Sequence, residues 1–407
     1  MIRRQTFVIV GASLAGVTAA AILREEGFEG RVVLLGEEEL LPYERPGLSK
    51  VYLRGEEPAE SLTVRDADWF DDQDVELMRG VVAERLDATA RTVTMADGES
   101  VEFEQALIAT GSRNRPLEAP GVDLGNVFDL RTVADADRIR AAAAHGGPAV
   151  CVGMGFIGAE VAASLRQMDV DVTVVEIFET AIWKVLGRDA GDVMARIHAD
   201  HGVKMRFNDT VDTFVGGAAV ERVRTSLADD IPAAFVVVGI GVVPNGEIWP
   251  LSLTEDGGIP VDPTLQTEVP GIWAAGDVAS HDHPAFGRLR VEHFDNAIKM
   301  GETAARNMLG AGLVHDDPHW FWSDQYDVQV QMVGVRPPDG TVVVRGSYED
   351  RSFCAFSLDA AGVLRGATSI AWPRDVRRAI ALVRQQVRPD PAKLADPGFD
   401  IRQFAEG

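Results

Sequence analysis

Apolar residues in the first two thirds of this chain fall in short continuous runs, and two of these runs lead straight into a glycine turn. TFVIV at 6–10 precedes Gly11, and AVCV at 149–152 precedes Gly153. Continuous runs, unlike alternating ones, mark strands buried on both faces, as in a parallel sheet. Each turn leads into a stretch with helical spacing and then another apolar run, RVVLLG at 31–36 or DVTVVE at 171–176. The two stretches align at an offset of 142, with Gly11 on Gly153, Gly16 on Gly158, Ala20 on Ala162, Leu23 on Leu165 and Arg24 on Arg166. A repeated unit of strand, glycine turn, helix and strand predicts two nucleotide-binding domains, one inserted in the other.

Later runs at 106–111, 235–241 and 271–277 read as further strands, and 292–309 reads as a helix. From residue 319 the texture changes. Segments 328–335, 341–348 and 353–358 read as antiparallel strands, 337–340 as a turn and 376–387 as a helix. The expected fold class is therefore α/β, with two doubly wound, Rossmann-like domains plus a small α+β C-terminal domain. The expected boundaries are 1–113 with 245–318, then 114–244, then 319–407.

Composition narrows the function. The 407 residues include 39 basic and 63 acidic ones, a formal net charge of −24. Such a chain repels nucleic acid and anionic membrane surfaces. The imbalance lies wholly in the first 318 residues, because the tail holds 11 basic and 11 acidic ones. Two distant cysteines, Cys151 and Cys354, provide no redox pair, no disulfide framework and no cysteine-rich metal site, so no metal is expected. A reducing cytoplasm suits such usage. No apolar run reaches membrane-spanning length. The opening segment imitates a secretory signal, with two arginines before an apolar stretch. Its glycine spacing instead favours a strand, a turn and a helix.

The second glycine loop has the complete triplet, Gly153, Gly155 and Gly158. The first glycine permits a tight turn, the second a close approach to pyrophosphate, and the third helix-on-strand packing. Phosphate then sits at the helix N-terminus. Glu176 ends the next strand, where a carboxylate accepts from a ribose 2′-OH, and no basic residue follows to hold a 2′-phosphate. NADH is therefore expected over NADPH. The first loop keeps Gly11 and Gly16 but has Ser13 in the middle, and Glu37 is its ribose candidate. Glu38 and Glu39 read as a solvated acidic turn.

Seven segments in order carry a more specific resemblance: PYERPGLSK (42–50), ATGS (109–112), GMGFIGAE (153–160), VVVGIGVVPN (236–245), GIWAAGD (271–277), RVEHFDNA (290–297) and FWSDQYD (321–327). Together they resemble the FAD-dependent, NADH-oxidising ferredoxin reductases of bacterial haem-thiolate monooxygenases and Rieske-type dioxygenases. The resemblance implies an enzyme holding FAD and NADH that passes electrons to a 2Fe–2S ferredoxin and so, indirectly, to an oxygenase. It implies that Lys50, flanked by Arg45 and Pro46, lies near the flavin, where a cation stabilises developing negative charge. Glu160 would face Lys50 and meet the nicotinamide. Asp277, Thr110, Gly111 and Arg113 would lie along FAD, Glu292 and His293 near the nicotinamide, and Trp322 at the flavin edge. The implied cofactor-binding set also takes in Leu14, Ala15, Val82, Ala109, Phe156, Ile157, Gly241, Gly276 and Phe294. Departures from the pattern are Ser13, Phe294 where relatives often have tryptophan, and Ala371 where many have asparagine.

Thiol-dependent relatives need a cysteine near the flavin, and none is there, so Cys151 reads as a small buried hydrophobe. The usual ferredoxins are acidic, as this chain is, so docking calls for a local basic patch. Arg288, Arg290, Arg374, Arg377 and Arg378 are candidates for docking or for a solvated charged face. Two alternatives remain open, a rubredoxin reductase and an NADH-sensing interaction protein like apoptosis-inducing factor.

Overall fold

The computed structural model describes residues 5–405. The arginines at positions 3 and 4 of the signal-like opening lie outside the described residues. The chain divides into two compact units. The first comprises 1–44, 62–113 and 243–320, and the second 45–61, 114–242 and 321–407. The RPGLSK segment and the C-terminal sheet thus belong with the second nucleotide-type sheet.

In the first unit, five parallel strands lie in the order Ile272–Ala274, Gln105–Ile108, Thr6–Val10, Arg31–Gly36, Val75–Arg79. The apolar run at 6–10 is the central strand, covered on both faces, which is why it does not alternate. Strand order reverses beside it, so a crevice opens at its carboxyl end. Gly11 leaves the strand there and the helix Leu14–Glu25 follows. This helix packs closely on Phe294–Met308, since a Cβ on Gly301 would stand 2.5 Å from the Ala15 carbonyl oxygen. A small antiparallel sheet of Ala83–Asp87, Thr92–Met95 and Ser100–Glu102 contributes Leu86, Val93 and Met95 to the same core.

The second unit repeats the plan. Its parallel order is Lys204–Phe207, Val172–Glu176, Ala149–Val152, Phe235–Val238, Val127–Asp129. The helix Phe156–Gln167 follows the second glycine loop. The C-terminal part is a five-stranded sheet ordered Trp320–Gln325, Val328–Gly334, Leu364–Ile370, Ser352–Leu358, Thr341–Ser347, with the helix Pro373–Arg384 packed on it. That helix starts three residues before the expected 376, because Pro373 takes the first helical position, where its missing N–H costs nothing. It stops before Gln386, whose φ is +51°. Fully buried Arg345 anchors the segment after this helix by donating to the carbonyls of Lys393, Leu394 and Phe399 and pairing with Asp375 at 3.3 Å.

Candidate functional site

Both glycine loops obey the same steric logic. Gly11 has φ +116°, and a Cβ there would stand 2.1 Å from the Ala109 carbonyl oxygen. Gly153 has φ +93°, with the Gly239 oxygen at 2.5 Å. Cβ atoms on Gly16 and Gly158 would lie 2.0 and 2.2 Å from the carbonyl oxygens of Gly11 and Gly153. No side chain fits at these four positions. The middle positions differ: Ser13 has φ −104° and Gly155 φ −71°, extended backbone open to any residue. Space around Gly155 is open to 4 Å. Serine in the first loop therefore costs the fold nothing. It bears only on how closely a ligand approaches.

Neither helix N-terminus is capped by a side chain, and neither has an acid in its first turn. Free N–H groups there suit a pyrophosphate. The two loops thus fit two dinucleotides. Leu14 and Phe156 open the helices, Ala15 and Gly158 are buried, and Ile157 is exposed. In the second loop Glu176 is buried. Its carboxylate accepts from the N–H of Met154, and from that of Phe178 at 2.9 Å. In the first loop Glu37 and Val82 are exposed. Gly241 is exposed with φ +106°.

The remaining first-unit candidates gather at the carboxyl ends of strands. Gly276 (φ +75°) precedes Asp277, whose carboxylate accepts from Ser112 Oγ at 2.6 Å. Ala109 donates its N–H to Val10, and Gly111 accepts from Asn245 N–H. Thr110 Oγ1 donates to the Asn245 carbonyl at 2.7 Å. Arg113 bonds Asn245 and pairs with Glu247. Glu292 pairs with Arg290 at 2.7 Å. His293 precedes Phe294, the first residue of the long helix. Burial lowers its pKa to about 4, against the opposing pull of Asp277.

In the second unit one acid is the hub. Glu160, 3% exposed, lies in the second turn of the helix opened by the second loop. It accepts from Lys50 Nζ at 2.9 Å, Ser49 Oγ at 2.5 Å and Ser323 Oγ at 2.6 Å. The short helical turn Arg45–Ser49 brings Lys50 there, and Ser164 Oγ bonds the Ser49 carbonyl behind it. Arg45 donates to the Arg131 carbonyl, and Pro46 lies within the same turn. Phe156 packs on Phe321, with ring centroids 4.3 Å apart. Trp322 is half-buried on the strand that carries Ser323. Sequence reasoning missed Ser49 and Ser323. Both sit inside motifs singled out for a neighbour, Lys50 or Trp322, and no local pattern marks a serine as a carboxylate donor.

The profile of the Pyridine nucleotide-disulphide oxidoreductase family matches residues 5–301, and that of the Reductase C-terminal family matches residues 320–405. The chain belongs to the pyridine nucleotide-disulphide oxidoreductase family. It is 37% identical to the rhodocoxin reductase of Rhodococcus erythropolis, over 98% of this chain and 93% of that protein. It is equally similar to the anthranilate 1,2-dioxygenase system ferredoxin–NAD(+) reductase component of Burkholderia cepacia, over 98% of each. Among solved structures, the ferredoxin reductase for the CYP199A2 system from Rhodopseudomonas palustris superposes with a TM-score of 0.94 at 34% identity, covering 98% of this chain and 100% of that one.

The disulphide of the family name has no counterpart in this chain. Cys151 and Cys354 are free and buried, and burial pushes the Cys151 thiol up to about 12 and that of Cys354 well above its usual value.

The docking candidates separate clearly. Arg290 is 10% exposed and bridges Asp256 at 2.9 Å and Glu292. Arg288 donates to the carbonyls of Ser280 and Val261. Arg378 lies between Asp375 and Asp400. These three bond within the fold, although Arg288 is exposed. Arg374 and Arg377 are exposed on the helix Pro373–Arg384. Among the described residues no helix is long and apolar enough to cross a membrane.

Proposed function

We propose that this chain is an FAD-containing NADH:ferredoxin reductase that passes electrons from NADH to a 2Fe–2S ferredoxin serving an oxygenase. Bound FAD would supply the change from a two-electron hydride donor to a one-electron acceptor. The carrying observation is that a cation, not a thiol, accompanies the second glycine loop: Lys50 lies on buried Glu160 while both cysteines are sealed in strands. Likeness to reductase components along nearly the whole chain supports the same reading. Residues 1–113 and 245–318 would hold FAD through Gly11, Gly16 and Asp277, and 114–244 would hold NADH through Gly153, Gly158 and Glu176. Residues 319–407 would form the C-terminal α+β domain. Lys50 would place fixed positive charge where flavin charge develops, with Glu160 orienting it. Glu292, His293 and Trp322 would border the reacting rings. Two buried free thiols agree with a reducing cytoplasm.

The test is cytochrome c reduction by the flavin-loaded protein with NADH or NADPH, with and without a 2Fe–2S ferredoxin. Ferredoxin-stimulated turnover with NADH is expected. Fast flavin reduction that several ferredoxins fail to stimulate would remove the acceptor from this reading.

A further inference from the structure

The Glu160 carboxylate has a chain of partners that runs away from the glycine loop into the C-terminal sheet. Ser323 and Gln325 are alternate residues of the strand Trp320–Gln325, so their side chains share one face. Both are fully buried. Ser323 Oγ donates to Glu160 Oε1, and Gln325 Nε2 donates to Ser323 Oγ at 3.1 Å. Gln325 Oε1 lies 2.8 Å from Nε2 of buried His198. The amide nitrogen already faces Ser323, so Oε1 must accept, and the His198 proton sits on Nε2. Nδ1 is then an acceptor for the Tyr326 hydroxyl at 3.3 Å. Every donor along the chain points towards Glu160.

Burial keeps His198 neutral, lowering its pKa to about 4, so this polarity persists at neutral pH. His201 stacks on the far side of Tyr326, with centroids 3.6 Å apart, and holds the ring in place. A primary amide in mid-chain neither takes up nor releases a proton readily. The chain therefore transmits orientation rather than protons. Lys50 and Ser323 share Oε1, while Ser49 holds Oε2. Removing Ser323 leaves Oε1 held by Lys50 alone, so the carboxylate keeps only its Ser49 anchor on Oε2 and Lys50 loses the partner that fixes their shared oxygen.

We propose that Ser323, Gln325 and His198 form a positioning relay that fixes the Glu160 carboxylate and, through it, the Lys50 ammonium. The relay's part in turnover rests on the proposed role of Lys50 and Glu160; its geometry does not.

The experiment uses the FAD-loaded full chain carrying Ser323→Ala, Ser323→Thr or Gln325→Leu, with folding checked by circular dichroism and flavin content. The first readout is acylation of Lys50 by an amine-reactive reagent, followed by peptide mass spectrometry with exposed Lys184 as internal standard. Ser323→Ala should acylate Lys50 at least about threefold faster, Gln325→Leu should fall between it and wild type, and Ser323→Thr should restore the wild-type rate. The second readout is stopped-flow flavin reduction by NADH. Its limiting rate should fall about tenfold in Ser323→Ala while the apparent NADH affinity stays within about twofold, a loss typical of one hydrogen bond to a charged group. Wild-type acylation of Lys50 in Ser323→Ala and Gln325→Leu would overturn the relay. Faster acylation with unchanged flavin reduction in both Ser323→Ala and Lys50→Met would support the relay and overturn the reactive role of Lys50.

Discussion

In the second unit, Glu176 folds back onto the N–H of Met154 inside its own glycine loop; in the first unit, no carboxylate among the described residues bonds the N–H of Ala12. The hydrogen-bond register explains why. Gly11 N–H bonds the Leu35 carbonyl and Gly153 N–H bonds that of Val175, so Gly36 occupies the place of Glu176, and Glu37 comes one residue later. A side chain at Gly36 would hit Ala12, its Cβ 2.7 Å from that of Ala12. One loop is therefore braced by its own acid before any ligand arrives. The other leaves its acid, Glu37, in solvent. Two repeats that share their outer glycines thus differ in their acids: Glu176 braces its own loop and Glu37 stands in solvent.

The largest losses should come from the glycines that the two loops share. Gly16→Ala and Gly158→Ala each drive a Cβ to about 2 Å from a backbone carbonyl oxygen. Each should cost about 3 kcal/mol or more by thermal unfolding, the upper range for overpacking. A neutral result for either would mean its loop is not closed as described. The acids come next. Glu176→Gln keeps one acceptor oxygen but turns an amide NH2 towards the N–H of Met154 or of Phe178, and should cost about 2 kcal/mol. Glu37→Gln, at an exposed position, should stay within about 0.5 kcal/mol. Equal losses would erase the difference.

The units should also part on acidification. Burial lowers His281 to about 3, His293 to about 4 and His319 to about 2 in the first unit, and His198 to about 4 in the second. A histidine with a depressed folded pKa contributes its full stability above its unfolded value, near pH 6.5. That stability is lost as pH falls from 6.5 towards the folded value, because the unfolded chain takes up protons first. With three such residues against one, the first unit should open more. Hydrogen exchange at pH 7 and pH 5, corrected for intrinsic rates, should show its opening equilibrium rising at least about tenfold more than that of the second unit. A uniform response would break the contrast. The smallest effect is expected at the middle loop position. Gly155→Ser imitates Ser13 at an open, extended site and should shift stability by no more than about 0.5 kcal/mol. A larger loss would show that the fold itself needs glycine there.

Much of this architecture was legible in the chain because it is written locally. Buried runs, glycine turns and helical spacing act within about 30 residues, and the strand–turn–helix units at 6–25 and 149–167 follow from them. Even the misplaced helix start carried a local signal in Pro373. Glu160 and Lys50 were expected to meet, but only on the strength of a family resemblance. Tertiary structure alone decided the rest. Ser49 and Ser323 reach Glu160 from 111 and 163 residues away. Arg290 became a half-buried bridge because Asp256, 34 residues earlier, came to its side. Strand pairing in the same register puts Gly36 at the place of Glu176, so Glu37 falls one residue beyond it. Periodicity fixes which face of an element is buried. It says nothing of which distant donor will meet a given carboxylate, because that depends on strand order and register, which only the packed sheet defines.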